Sequence, residues 1–162
     1  MDRNRDLAKG LSRIENQLAN KKYFTVTITP TCQADSVASN GVVFNPTTIP
    51  GACPNGRASR LMSIVVHDGD DTLSPLTLFF TKVAKDFGTL GAEVSISTAN
   101  MKLAKPLGMV QTLNEYNSFA GDYLAGGINT NTNFDLIVES DANDNSNGDI
   151  YVAGLALSLI HI

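Results

Sequence analysis

The hydrophobic pattern of this chain changes period once, near residue 22. Before that point Leu7, Leu11, Ile14 and Leu18 recur at spacings of four, three and four, which sets them in one stripe and predicts a helix over residues 3–20. The stripe is narrow, and Gly10 weakens the helix by about 1 kcal/mol relative to Ala. A helix of this length is marginal alone in water, so the stripe needs a surface to pack on. From Lys22 the pattern alternates. Tyr23, Thr25, Thr27 and Thr29 fall on one side and Phe24, Val26 and Ile28 on the other, which predicts a half-buried strand closed by Pro30.

Residues 31–57 read as a long loop rich in Pro, Gly, Ser, Asn and Thr, with one short apolar piece at Val42-Val43-Phe44. The stretch from Arg60 to Thr81 then carries the clearest β signal. Leu61, Ile64, Val65 and Val66 load one limb, Leu76, Leu78, Phe79 and Phe80 the other, and His67-Asp68-Gly69-Asp70-Asp71 lies between, so the pattern predicts a hairpin. Residues 82–90 read as a connection, Ala92–Ser97 as a strand, and Thr98–Lys105 as a single helical turn ended by Pro106. A strand over Leu107–Thr112, an irregular stretch over Asn114–Gly127, a strand over Asn133–Ser140 and a turn over Asp141–Asp149 come next. The last strand covers Ile150–Ile160, with Gly154 as a bulge or a point of close packing. About eight strands with regular turn signals predict an antiparallel sandwich or barrel preceded by one amphipathic helix. The domain division that follows is a docking helix over 1–21 and a β domain over 22–162.

Composition agrees with a mainly β protein. Only 17% of the 162 residues are charged, and the hydrophobic share of 43% is ordinary for one packed domain. The longest apolar runs are too short to span a bilayer, and the first twenty residues lack the apolar centre of a secretory signal, so no membrane partner is expected. The net charge of −4 is unevenly spread. Residues 1–22 carry six basic and three acidic side chains, Arg3, Arg5 and Arg13 among the basic ones, while the remainder carries six basic and thirteen acidic. The arm is either a solvated helix of mixed charge or a segment that docks on a complementary acidic surface. Nucleic acid is not an expected partner, because the acidic body repels phosphate.

Candidate chemistry is sparse. Cys32 and Cys53 lack the spacing and the nearby His of a zinc site; they either stay reduced or close the intervening loop as a disulfide, which would stabilise by about 2–4 kcal/mol. The segment Asp141–Asp149 matches a calcium loop in part, with Asn143, Asn145, Asn147 and Gly148 at its first, third, fifth and sixth positions. It has Gly154 where the bidentate Glu belongs and no flanking helices, so an inter-strand turn is the simpler reading. Asp68, Asp70 and Asp71 beside His67 suit a polar turn better than a ligand set. His67 and His161 are the only histidines, and there is no GxSxG, Walker loop, GxGxxG or HExxH. Tyr116, Phe119 and Tyr123 suit a sugar or base platform or, more simply, packing. No catalytic residue, metal or cofactor is expected.

The order of elements carries one resemblance. A Thr-rich first strand and a long loop are followed by SIVVHDGDDTLSPLTLFF, the strand AEVSIS and a short helical segment leading to LGMVQT, with FDLIVESD and IYVAGLALSL closing the chain. This order resembles small jelly-roll structural proteins of tailed-bacteriophage virions, of the capsid decoration or head-knob type. The resemblance covers residues 23–160 and leaves the N-terminal helix outside it. It implies a non-enzymatic protein on the capsid surface, bound to the major capsid protein and to copies of itself in a symmetric oligomer, a trimer in the first instance. Leu7, Leu11, Ile14 and Leu18, with Arg3, Arg5 and Arg13, would then form the docking surface. A head–tail adaptor or tail component, and a carbohydrate-binding sandwich used for host adhesion, are the rival expectations.

Overall fold

A computed structural model describes residues 24–33, 36–53, 58–68, 75–112, 116–119, 122–126, 137–141 and 147–157. The helix expected over residues 3–20, and with it Leu7, Leu11, Ile14, Leu18, Arg3, Arg5 and Arg13, lies outside the described residues, as does Tyr23. The described chain is mainly β. Nine strands run in order among the described residues: β1 (Val42–Ile49), β2 (Ala58–Arg60), β3 (Val65–Asp68), β4 (Leu76–Thr81), β5 (Pro106–Gln111), β6 (Tyr116–Phe119), β7 (Asp122–Gly126), β8 (Ile137–Glu139) and β9 (Ile150–Ala156), with a helix, α1 (Thr98–Ala104), before β5. They form a four-stranded sheet in the order β1-β9-β4-β5, a pair β2-β8 and a three-stranded sheet β3-β7-β6. Every pairing between these strands is antiparallel.

The four-stranded sheet is organised by β4 and β9, its two inner strands, both of which are buried on two faces. Strands in that position read as near-continuous apolar runs, as LTLFFT and IYVAGLA do. On one face Phe44, Leu78, Phe80, Val110, Ile150, Val152 and Ala156 join Val37, Ala52, Cys53 and Val138 in the larger core cluster. On the other, Ala153 and Val42 pack with Phe87, and Phe79, Leu90, Val94, Ile96 and Met101 close over them. Phe79 and Phe87 meet edge to face with ring centroids 5.5 Å apart. Gly154 lies between Phe44 of β1 and Leu78 of β4 in register. A Cβ there would stand 2.1 Å from the Phe44 ring, so the close-packing expectation for this glycine holds.

The hairpin expected over Arg60–Thr81 is corrected. β3 pairs with β7, whereas β4 pairs with β9 and β5, so the two limbs belong to different sheets. A local Asp-Gly dipeptide brings two strands together only when neither finds a better partner, and a strand apolar on both faces is best satisfied between two neighbours. Residues 69–74 of the connection lie outside the described residues.

The expected loop over 31–57 contains β1. Its Pro46 concealed the strand, because Pro is excluded from the interior of a paired sheet. Here β1 is an edge strand, and Pro46 falls in the register shift between the pairs Phe44↔Gly154 and Thr47↔Val152, where a missing N–H costs little. The adjacent Asn45 turns the irregularity into a tie: its amide nitrogen donates to the Gly88 carbonyl (2.9 Å), and its oxygen accepts from the Phe87 N–H (3.0 Å).

Two expected strands form no ladder among the described residues. Over residues 24–30 Val26 and Ile28 are half-buried and Thr25, Thr27 and Thr29 exposed, yet no strand is formed. Ala92–Ser97 keeps only the bridge Gly41↔Glu93, with Val94 and Ile96 turned into the second cluster. In both cases alternation reports half-burial and does not require a neighbouring strand. Asn114–Gly127, expected to be irregular, instead carries the antiparallel pair β6 and β7.

The helical turn ahead of Pro106 forms as read. Ser97 caps α1 by accepting from the Asn100 N–H (3.2 Å), and Lys105 ends it in the left-handed conformation at φ 53°. β5 then starts at Pro106 itself. Strands β8 and β9 fall inside their expected ranges.

Candidate functional site

Large apolar side chains are exposed on β8, on β3 and on the link between β2 and β3. Ser59 and Val138 point inward, the latter fully into the larger core cluster. Strand alternation therefore turns Ala58, Arg60, Ile137 and Glu139 outward together. The register sets Ala58 opposite Glu139 and Arg60 opposite Ile137, so the two charges occupy one diagonal of the face and the two apolar residues the other. Ile137 is 61% exposed. Beyond Arg60 the chain continues with Met62 and Val65, 57% and 69% exposed, while Leu61, Ile64 and Val66 pack inward on the larger cluster. Glu139 is held from one side by Lys82, whose Nζ donates to Oε2 at 2.6 Å.

The candidates read from the sequence separate on this framework. His67 lies on β3 opposite Leu124, exposed, and two residues beyond Val65. The Asp70 and Asp71 positions are outside the described residues. The disulfide considered for Cys32 and Cys53 is not made: Cys32 is exposed, Cys53 is buried, and no bond joins them. The Cys32 thiol is directed to the Pro30 carbonyl at 3.8 Å. Cys53 instead lies within the larger core cluster, with its N–H donating to the Gly148 carbonyl at 2.7 Å. Burial pushes its thiol above the ordinary value, only partly offset by hydrogen bonds from Ser140 and Ser59. Such a thiol is a packed core group and a poor nucleophile.

The two ends of the Asp141–Asp149 segment have structural partners. The buried Asp141 pairs with Lys105 at the end of α1. Asp149 Oδ1 accepts the Gly51 N–H at 2.8 Å and so fixes the turn after β1 against the start of β9. Residues 142–146 lie outside the described residues. The backbones of β6 and β7 bring Ser118 opposite Tyr123 and Phe119 opposite Asp122.

Sequence reasoning missed Ile137, Met62 and Val65 as surface residues. A signal was present for Ile137, which shares its alternation phase with Asp135 and Glu139 and not with the apolar Phe134, Leu136 and Val138. For Val65 there was none, because a run of Ile64-Val65-Val66 hides which member faces out. Comparison of this chain with protein-family models, with curated proteins and with solved structures finds no match.

Proposed function

We propose that this chain is a non-enzymatic structural protein of a tailed-bacteriophage virion. In this reading a jelly-roll-type sandwich decorates or cements the capsid exterior as a symmetric oligomer, and residues 1–21 form a docking helix. The observation that carries the reading is how the arm meets the body. Phe24 is 49% exposed and Thr25 is exposed, and among the described residues Val26 and Ile28 are the first to be half-buried. The arm therefore joins the body at a solvent-facing point, where an apolar stripe can reach another chain. The uneven charge supports the same division: residues 1–22 have an excess of three basic residues and the rest of the chain an excess of seven acidic ones. Such an arm is steered toward an acidic neighbour and kept from a basic one. Many copies on a shell then gain from multivalency even when each contact is weak.

The test is co-sedimentation with capsids that lack the protein. The full chain is expected to bind, and a chain lacking residues 1–20 is expected to keep its β circular dichroism and lose binding. Full decoration by the truncated chain would remove the docking role from the arm.

A further inference from the structure

We propose that Asn40–Gly41 is a latent modification site, converted to aspartate or isoaspartate only while residues 91–94 are lifted off the start of β1. An asparagine followed by glycine is the pair best suited to ring closure, because no Cβ hinders the attacking nitrogen. The Gly41 nitrogen attacks Asn40 Cγ and forms a new N–C bond. The bond from Cγ to the side-chain nitrogen breaks, and that nitrogen leaves as ammonia with the Gly41 proton. Water then opens the succinimide at one of its two carbonyls. One opening leaves an aspartate, the other an isoaspartate whose main chain runs through Cβ.

The turn itself accounts for the residue pair: Asn40 sits at φ 56°, in the left-handed region that Asn tolerates. Asn40 is exposed, and exposure alone would leave it open to the reaction. The peptide unit that must react is held at both ends. Its N–H, on Gly41, donates to the Ala38 carbonyl at 2.8 Å, and its carbonyl, on Asn40, accepts from the Val94 N–H at 3.2 Å. The nitrogen cannot turn toward Cγ until that plane rotates, and rotation breaks both bonds. Neighbouring bonds resist it further. Ala38 N–H donates to the Gly91 carbonyl (2.9 Å), Val42 N–H to the Ala92 carbonyl (2.9 Å) and Gly91 N–H to the Val42 carbonyl (2.8 Å). Gly41 is buried, and its carbonyl accepts from the Ala156 N–H at 2.9 Å. Breaking such a set requires a local opening, and the population of the opened form scales the rate. The isoaspartate form adds a backbone atom to a turn with no room for it. A Cβ on Gly41 would already stand 2.7 Å from the Ala38 oxygen and 2.7 Å from Val37 Cγ1, and Val42 beyond it is fully buried. Residues 91–94 therefore cannot close again over the isoaspartate form.

Peptide mass spectrometry of the full chain, aged at mildly alkaline pH, is the test. Conversion at Asn40 is expected to be at least about tenfold slower in the folded chain than in the same chain unfolded in guanidinium, as for a site that reacts only through local opening. Val94→Pro removes the N–H that holds the Asn40 carbonyl. With its β circular dichroism retained, this variant is expected to convert Asn40 severalfold faster than wild type, and faster than Val94→Ala, which keeps that N–H. The folded and unfolded wild type decide the matter if Val94→Pro does not fold. The isoaspartate chain, separated and returned to native conditions, is expected to exchange the amide protons of Gly91 and Val94 faster than wild type. Equal rates at Asn40 in the folded and unfolded chains, a folded Val94→Pro protein that converts no faster than Val94→Ala, or an isoaspartate chain with wild-type exchange would each overturn the proposal.

Discussion

Replacing Gly154 by Ala tests the packing of the central sheet at its tightest point. The new Cβ would lie 2.1 Å from Cε1 of Phe44, 2.5 Å from Cδ1 and 2.8 Å from Cζ. The ring cannot simply swing away, since Phe44 is itself in the larger core cluster beside a register shift in β1. Two effects oppose each other. Ala reduces the freedom of the unfolded chain, which stabilises by about 0.4–1 kcal/mol. Overpacking a dense core costs about 1–3 kcal/mol, and contacts this short belong at the upper end. The net expectation is a loss of about 2 kcal/mol, or about 4–8 °C in Tm for a chain of this size. Urea unfolding followed by circular dichroism measures it, and a partner substitution makes the cause specific. Phe44→Ala alone is expected to cost about 3–5 kcal/mol through the cavity it leaves. In the Phe44→Ala background, Gly154→Ala should cost nothing or stabilise, a coupling of at least about 1 kcal/mol. A Gly154→Ala protein as stable as wild type, or costs that add without coupling, would refute the close approach of β1 to β9.

Three further outcomes follow from the same framework. Asn45→Ala removes both hydrogen bonds that tie β1 to residues 87 and 88 and is expected to cost about 1–3 kcal/mol in urea unfolding. A thiol reagent should modify Cys32 rapidly and Cys53 only on unfolding, read by peptide mass spectrometry across a urea series. Because burial raises the Cys53 thiol above its ordinary 9.0, the folded state keeps its proton where the unfolded state would lose it; this contribution is full below pH 9.0 and is lost as pH rises through the folded value. Stability of the wild type should therefore decline on that alkaline limb more steeply than that of Cys53→Ala, each measured relative to its own value at neutral pH.

The extent to which this fold was legible depends on whether the signal was local. The end of α1 was readable because Pro106 stops a helix whatever surrounds it, and β9 because Ile150–Ala156 is apolar on both faces. Gly154 was readable as a close approach because a glycine in such a run has few other uses. The pairing of strands was not readable. β1 and β9 meet across most of the chain, and nothing in VVFNPTTI names IYVAGLA as its partner. The Asp-Gly turn after β3 suggested a neighbour that β7 in fact supplies, because strand partners are chosen by burial on both faces and not by the nearest turn. The exposed apolar positions were legible only in part: the phase of Ile137 marked it as outward, whereas Met62 and Val65 needed the inward packing of Leu61, Ile64 and Val66 to be known first.

The central claim, that this β protein is a virion component held by its arm, is tested most directly by a cryo-electron microscopy reconstruction of the intact phage particle. The account predicts repeated density for the β body on the outer surface of the shell, with the stripe of Leu7, Leu11, Ile14 and Leu18 against the major capsid protein. A particle without this chain, or one in which it occupies only the tail, would contradict it.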